Sequence, residues 1–324
     1  SALNQLCLYI KFLLKERYFG YMHKFICISG CTASGKSSFA LKLSEYFENP
    51  VIINADALQV YSCWKILTDR PTEKKTMHNL YGHVSCTVNY SVGDWLKDVK
   101  NIFELHLRNS KTFIFVGGTG LYFNALLNGL SQIPPIPKEI RDFANSCDLS
   151  FFLKDLNIND PGVLAKIDIN NRRRVQRAWE VLEATDKSIL YWQSKNTSPL
   201  ISVLNATLLL IELEKESLAN RISTRVINML GCGVIKEVEK VYKTCWDNKL
   251  PFAKAIGAKD IVSHLNGEIS FEKLSQNIDL KTRQFAKRQR TWQKNYMKDW
   301  GSINTARLNR LDIEKIVKKV KAIN

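Results

Sequence analysis

The 324-residue chain is best approached through what it does not contain. No cysteine stands in a C-x2-C pair and none is followed by histidine at zinc-finger spacing, which leaves no sequence-encoded zinc site. The eight cysteines (Cys7, Cys27, Cys31, Cys63, Cys86, Cys147, Cys232 and Cys245) are scattered. Such scattering fits free thiols filling small apolar gaps in a reducing, cytoplasmic setting. No apolar run is long enough to cross a bilayer. The stretch Leu6–Leu14 is short and interrupted by Lys11, so no membrane association is expected. No basic segment precedes that stretch and no small-residue cleavage site follows it, which argues against a secretory leader. Because Met22 directly precedes the first strong strand pattern, residues 1–22 are expected to form a helical N-terminal extension outside the core. No internal repeat or low-complexity tract is present.

Acidic residues are also in short supply. There are 31 Asp and Glu against 47 Lys and Arg, a net charge of +16 with pI near 9.4. That imbalance suits a polyanionic partner, although a lysine-rich surface would give the same sum. With 45% hydrophobic and 24% charged residues the chain is otherwise an ordinary globular protein, large enough for one big domain or two modest ones.

Apolar runs alternate with helical spacing in the first part of the chain. Phe25–Ser29 reads as a buried strand feeding Gly30, and Ser37–Phe47 as the helix that follows. Val51–Asp56 is a second strand with an acidic end. Ser91 caps a helix running to about Arg108, and Thr112–Val116 is a third strand leading into Gly117-Gly118-Thr119-Gly120. The prediction is a mostly parallel sheet flanked by helices, with glycine turns at its carboxyl edge. Pro134, Pro135 and Pro137 then mark a boundary. Residues 131–200 are expected to be an all-helical insertion, and Thr207–Ile211 returns the chain to the sheet. The core is thus assigned to residues 23–130 and 201–324. Its C-terminal part is predicted as helices over Arg221–Lys243, Phe271–Trp300 and from Asp312 onward.

Gly30-Cys31-Thr32-Ala33-Ser34-Gly35-Lys36-Ser37 fits G-x4-G-K-[ST] between a predicted strand and a predicted helix, the context that the phosphate-binding loop requires. The glycines let successive backbone N–H groups converge on one point. Lys36 adds a point charge, Ser37 can take a Mg²⁺ ligand position, and the helix N-terminus contributes partial positive charge. A nucleoside or small-molecule kinase is one reading. A magnesium-holding carboxylate is expected at a strand end in such enzymes, yet the Phe113–Val116 strand ends in Gly-Gly-Thr-Gly and the nearest acidic strand end is Asp56. That residue could hold magnesium, cap a helix or act as a base.

The order of further motifs resembles one family, the tRNA dimethylallyltransferases, and most closely their bacterial type. Thr32–Ser37, Asn54-Ala55-Asp56-Ala57-Leu58-Gln59-Val60-Tyr61 and Gly117–Tyr122 look like its three N-terminal motifs. Arg174, Arg177, Ala178 and Glu180 resemble its Arg-rich helix, and Arg221 to Val238 its block after the insertion. Lys254–Gly257 and Phe285–Trp292 resemble its two C-terminal tRNA motifs. The segment after Tyr61, the reduced Gly82-His83-Val84 motif, Asn170-Asn171 and Gly257-Ala258 depart from the family pattern.

The resemblance implies a P-loop NTPase-like fold whose loop holds the pyrophosphate of dimethylallyl diphosphate, with Mg²⁺ as cofactor and the tRNA anticodon arm as partner. It implies that Asp56 is the general base, with Thr32 and Arg225 also catalytic. The diphosphate set is then Gly30, Thr32, Ala33, Ser34, Gly35, Lys36, Ser37, Arg221 and Arg225, with Arg225 the leading arginine. The implied tRNA set begins with Asp56, Ala57, Leu58, Gln59, Thr119 and Arg141. It continues through Arg173, Arg174, Val175, Gln176 and Arg177, then Lys254, Ala255, Ile256, Gly257 and Lys259. It closes with Lys287, Arg288, Gln289, Arg290, Thr291, Trp292 and Lys294. Such an enzyme is expected to act as a monomer. The remaining histidines His23, His78, His106 and His264 read as structural or surface residues.

Overall fold

The structure is a computed structural model that describes residues 23–71, 77–106, 110–195 and 197–323. The expected extension over residues 1–22 lies outside the described residues, as do residues 107 and 108 of the helix expected to reach Arg108.

Six strands form one sheet in the order β3-β2-β4-β1-β5-β6, and every pairing is parallel. They are β1 (Lys24–Gly30), β2 (Pro50–Asn54), β3 (Met77–Asn79), β4 (Thr112–Gly117), β5 (Ala206–Glu212) and β6 (Gly301–Asn304). The central strands are buried on both faces, as continuous apolar runs require. Alternate residues sort to the two sides. Phe25, Cys27, Val51, Ile53, Phe113 and Phe115 pack against α2 (Val92–Leu105) and α3 (Gly120–Asn128) through Trp95, Phe103 and Phe123. Ile26, Ile28, Ile52, Ile114 and Val116 pack on the other face against α1 (Lys36–Ser44) and the closing helix. Each such large side chain, fully withdrawn from water, stabilises the fold by roughly 1.5–3 kcal/mol. Ser91 caps α2 with a full capping box through Asp94.

The chain divides into two compact units. The first takes the described residues up to Leu127 and those from Leu200 on. The second, Asn128–Pro199, contains α4 (Lys138–Ser146), α5 (Leu149–Asn159), α6 (Pro161–Leu164), α7 (Arg172–Thr185) and α8 (Ile189–Gln193) around Phe152, Leu156, Val175 and Trp179. Within that unit Arg172 is turned inward, donating to the carbonyls of Ala144 and Cys147 at 3.3 and 2.6 Å.

The C-terminal part of the first unit differs from the sequence-based expectation in five respects. The helix expected over Arg221–Lys243 begins earlier and is two helices, α9 (Lys215–Gly231) and α10 (Val234–Cys245). Gly233 at φ 91° breaks it in the left-handed region that glycine tolerates. Phe271–Trp300 ends sooner, as α12 (Phe271–Tyr296), after α11 (Ala258–Leu265). The residues beyond form β6, whose four positions are too few and too polar to announce a strand. The closing helix α13 spans Arg310–Ala322, because Asn309 is its cap and Asp312 sits three residues inside as the capping-box partner. Finally, Cys86 and Cys245 are joined in a disulfide, where only free thiols were expected. Their separation of 159 residues gives no spacing signal.

Candidate active site

The phosphate loop is held open by backbone conformation and by long-range hydrogen bonds. Ala33 (φ 60°) and Gly35 (φ 88°) both take left-handed conformations that turn the chain between β1 and α1. At Gly35 a Cβ would also come within 3.1 Å of Arg221 Nη1, the end of a flexible side chain, so it is the left-handed φ that favours glycine here. Two arginines of α9, one helical turn apart, reach the loop. Arg225 Nη1 donates to Thr32 Oγ1 at 2.7 Å, and Arg221 Nη1 donates to the Ser34 carbonyl at 3.3 Å. Thr305, just past β6, donates to the same carbonyl at 3.0 Å. Lys36 donates to the Cys31 carbonyl at 3.2 Å. Burial pushes the pKa of Lys36 down, and the Asp56 carboxylate nearby pulls it partly back. Burial pushes the Cys31 thiol up to about 11, so it stands beside the loop as a neutral thiol rather than a nucleophile.

Asp56 follows β2 and is fixed at both ends of its residue. Its N–H donates to Asn54 Oδ1 at 2.9 Å, and its Oδ1 accepts from the Leu58 N–H at 3.0 Å. Asn54 is fully buried, and its amide donates to the Asp56 and Leu80 carbonyls, both at 2.9 Å. The loop after β4 lies against this turn. Thr119 Oγ1 accepts from the Ala57 N–H at 3.0 Å, and the Thr119 N–H donates to the Ala55 carbonyl at 3.2 Å. The approach depends on Gly117, where a Cβ would lie 2.0 Å from the Ala55 oxygen.

Thr32, Lys36, Asp56 and Arg225 open into one cavity of about 80 Å³. Leu58, Leu67, Val226, Met229, Ile256, Ile278 and Phe285 supply its apolar wall. Sequence reasoning found the polar members and missed most of the wall, as well as Thr305. Val226 and Met229 carry a faint signal, since they share a helix face with Ile222 and Arg225. Leu67 is set in place by Glu237 of α10, whose carboxylate accepts the backbone N–H groups of Lys65, Ile66 and Leu67 at 2.8, 2.9 and 2.8 Å.

Most of the other expected site residues fall into three groups. Gly30, Ala33, Ser34, Gly35 and Ser37 lie on the loop, but the Ser34 hydroxyl is buried without a hydrogen-bond partner among the described residues, and Ser34 does not line the cavity. Arg141, Arg173, Arg174, Lys254, Lys259, Lys287, Arg288, Thr291 and Lys294 are exposed, while Arg177 is half-buried and pairs with Glu180 at 3.6 Å. Val175, Gln176, Ala255, Gly257 and Gln289 are buried, so their side chains are committed inside the fold. Arg290 and Lys294 line a separate cavity of about 300 Å³ beyond the buried stripe of α12. Trp292 packs over Gly120 and stacks on Tyr296 at 4.7 Å. Gln59 donates to the Thr68 carbonyl at 2.9 Å, tying its turn to the segment that bears Leu67.

The sequence profile of the IPP transferase family matches residues 59–296 of this chain. The chain belongs to the IPP transferase family. It is 42% identical over 282 residues to a tRNA dimethylallyltransferase of a Ruegeria species, covering 86% of this chain and 95% of that relative. A tRNA dimethylallyltransferase of Cereibacter sphaeroides is 44% identical over 285 residues, covering 86% and 88%. Among solved structures, the tRNA isopentenylpyrophosphate transferase of Bacillus halodurans superposes with a TM-score of 0.67 at 27% identity, over 92% of this chain and 95% of that one. A eukaryotic dimethylallyltransferase acting on tRNA superposes with a TM-score of 0.78 at 25% identity, over 92% and 78%. These matches bear out the resemblance and the parallel, P-loop type of sheet, and none favours the kinase alternative.

Proposed function

We propose that this IPP transferase moves a dimethylallyl group from dimethylallyl diphosphate to the N6 amine of the adenosine 3′-adjacent to the anticodon in tRNA, releasing diphosphate. The observation that carries this reading is the single cavity shared by the phosphate loop, Arg225, Asp56 and an apolar wall. Its lining offers cations to a diphosphate head, apolar side chains to a short hydrocarbon and a carboxylate to an amine nucleophile.

In the transfer the allylic C–O bond breaks and a C–N bond forms. Negative charge grows on the departing diphosphate, where Lys36, the Thr32 hydroxyl and the guanidinium groups of Arg225 and Arg221 stabilise it. Lys36 is short of counter-charge in its buried setting, so a bound diphosphate suits it. The N6 amine must shed a proton as it is alkylated. The Asp56 carboxylate, fixed through Asn54 and the Leu58 N–H, is the acceptor. The wall excludes water that would otherwise capture the allyl group.

Among the described residues no cluster of three or more His, Cys, Asp or Glu could hold a metal ion. That fits Mg²⁺, which keeps its waters and binds chiefly through substrate phosphates. Ser37, at the start of the helix that follows the loop, would be its protein ligand. Bound there, Mg²⁺ would neutralise leaving-group charge.

On this reading residues 131–200 form a tRNA-contacting insertion, with residues 23–130 and 201–324 as the catalytic core. The exposed Arg141, Arg173, Arg174, Lys287 and Arg288 grip phosphates, while the displaced adenosine carries specificity. A cytoplasmic monomer suffices for the reaction. Incubation with labelled dimethylallyl diphosphate, Mg²⁺ and tRNA tests the proposal. Label is expected in the anticodon arm, and a chain that binds tRNA without transferring label would overturn it.

A further inference from the structure

Gln289 is 7% exposed and lies on the buried stripe of α12. Its Oε1 accepts the Thr32 backbone N–H at 2.9 Å, and its Nε2 donates to the Gly118 carbonyl at 3.0 Å. Both ends of the side chain are therefore used inside the protein. Thr32 is the loop residue whose hydroxyl Arg225 also holds. Gly118 directly precedes Thr119, which holds the backbone of Ala55 and Ala57 on either side of Asp56. Hydrogen bonds and the short backbone link from Gly118 to Thr119 thus connect the leaving-group grip to the turn that bears the base, and Gln289 ties α12 to both. The contact is close: a Cβ at Gly118 would lie 2.3 Å from Gln289 Nε2.

We propose that Gln289 is a positioning residue for the transfer, and not an RNA contact. It sets the spacing between the phosphate loop and the turn that carries Asp56, so that allylic carbon, amine and carboxylate come into line. The inference rests on the proposed function for its reaction, but it assigns a role that neither charge nor exposure would suggest. An in-line displacement is sensitive to such spacing, since an ångström of misplacement can cost on the order of a hundredfold in rate. It also places α12 in direct mechanical contact with both halves of the site, while the same helix presents Arg288 to solvent one residue away.

The test uses the full chain, with the wild-type protein transferring label as the control. If the wild type transfers none, the function fails and the variants are not at issue. Gln289→Met keeps the volume and removes both hydrogen bonds. Its kcat is expected to fall roughly ten- to a hundredfold, with the Kd for tRNA within about twofold of wild type. Gln289→Glu keeps the acceptor for the Thr32 N–H, loses the donor to Gly118 and sets negative charge against the loop. It is expected to lose kcat and also to raise KM for the diphosphate. Gly118→Ala should displace Gln289 and cost as much as Gln289→Met. Combined with Gln289→Ala it should cost little more than Gln289→Ala alone, because the obstructed group is gone. A folded Gln289→Met protein with wild-type kcat, or one with weakened tRNA binding and unchanged kcat, overturns the proposal. Should Gln289→Met fail to fold, fully additive losses for Gly118→Ala and Gln289→Ala overturn it equally.

Discussion

Arg221 and Arg225 on α9 and Arg173 and Arg174 on α7 are equally basic in sequence and opposite in structure. The α9 pair is turned towards the phosphate loop, each guanidinium bonded to a loop oxygen at 3.3 or 2.7 Å. The side chains of the α7 pair are exposed to solvent. Their neighbour Arg172 is spent on the carbonyls of Ala144 and Cys147. Net charge therefore distributes into three uses: leaving-group stabilisation, structural capping and a surface free to meet phosphates. A guanidinium held at a reacting centre acts in low dielectric, whereas a solvated one is screened. The two arginine pairs should consequently fail in different ways.

The largest effect belongs to the inner site. Asp56→Ala removes the proton acceptor and should lower kcat by roughly 10²–10⁴, while the Kd for tRNA changes little. Near-wild-type turnover in that variant would end the assignment. Arg225→Ala comes next, with an expected loss of roughly 10²–10³ in kcat/KM and no change in the salt dependence of tRNA binding. The outer pair should behave in reverse. Arg173→Ala with Arg174→Ala should leave kcat intact at saturating tRNA. It should weaken tRNA binding by about tenfold at most and flatten the log–log salt slope by about one for each charge removed. A salt slope altered by Arg225→Ala, or a kcat altered by the α7 pair, would erase the distinction. The smallest change in activity is expected from Glu237→Gln, which weakens the carboxylate holding three backbone N–H groups at 2.8–2.9 Å. Its loss should appear in urea unfolding, at about 1–3 kcal/mol.

Legibility in the sequence followed contiguity. The phosphate loop was readable because eight adjacent residues carry its glycines, lysine and serine. Asp56 was readable because it ends an apolar strand. Most of the wall was not, since Leu67, Met229 and Ile278 arrive from three separate segments and look like ordinary core residues. Gln289 lay inside a motif read as RNA-binding, and only burial separates it from Arg288 beside it. The break at Gly233 has a local signal in Gly231-Cys232-Gly233, set between two stretches of continuous helical periodicity. Strands β3 and β6, with three and four residues, are too short to carry a period-two pattern.

Those two short strands are the margins of the sheet. An extended segment from a foreign or half-folded chain could pair with only three backbone positions at one margin and four at the other. The long apolar strands that would template aggregation, β1, β4 and β5, are each flanked by a neighbour on both sides. The polar brevity that hid β6 from the sequence pattern thus blunts the sheet's propensity to recruit other chains. Within an otherwise hydrophobic sheet, that is a safeguard for solubility during synthesis and refolding.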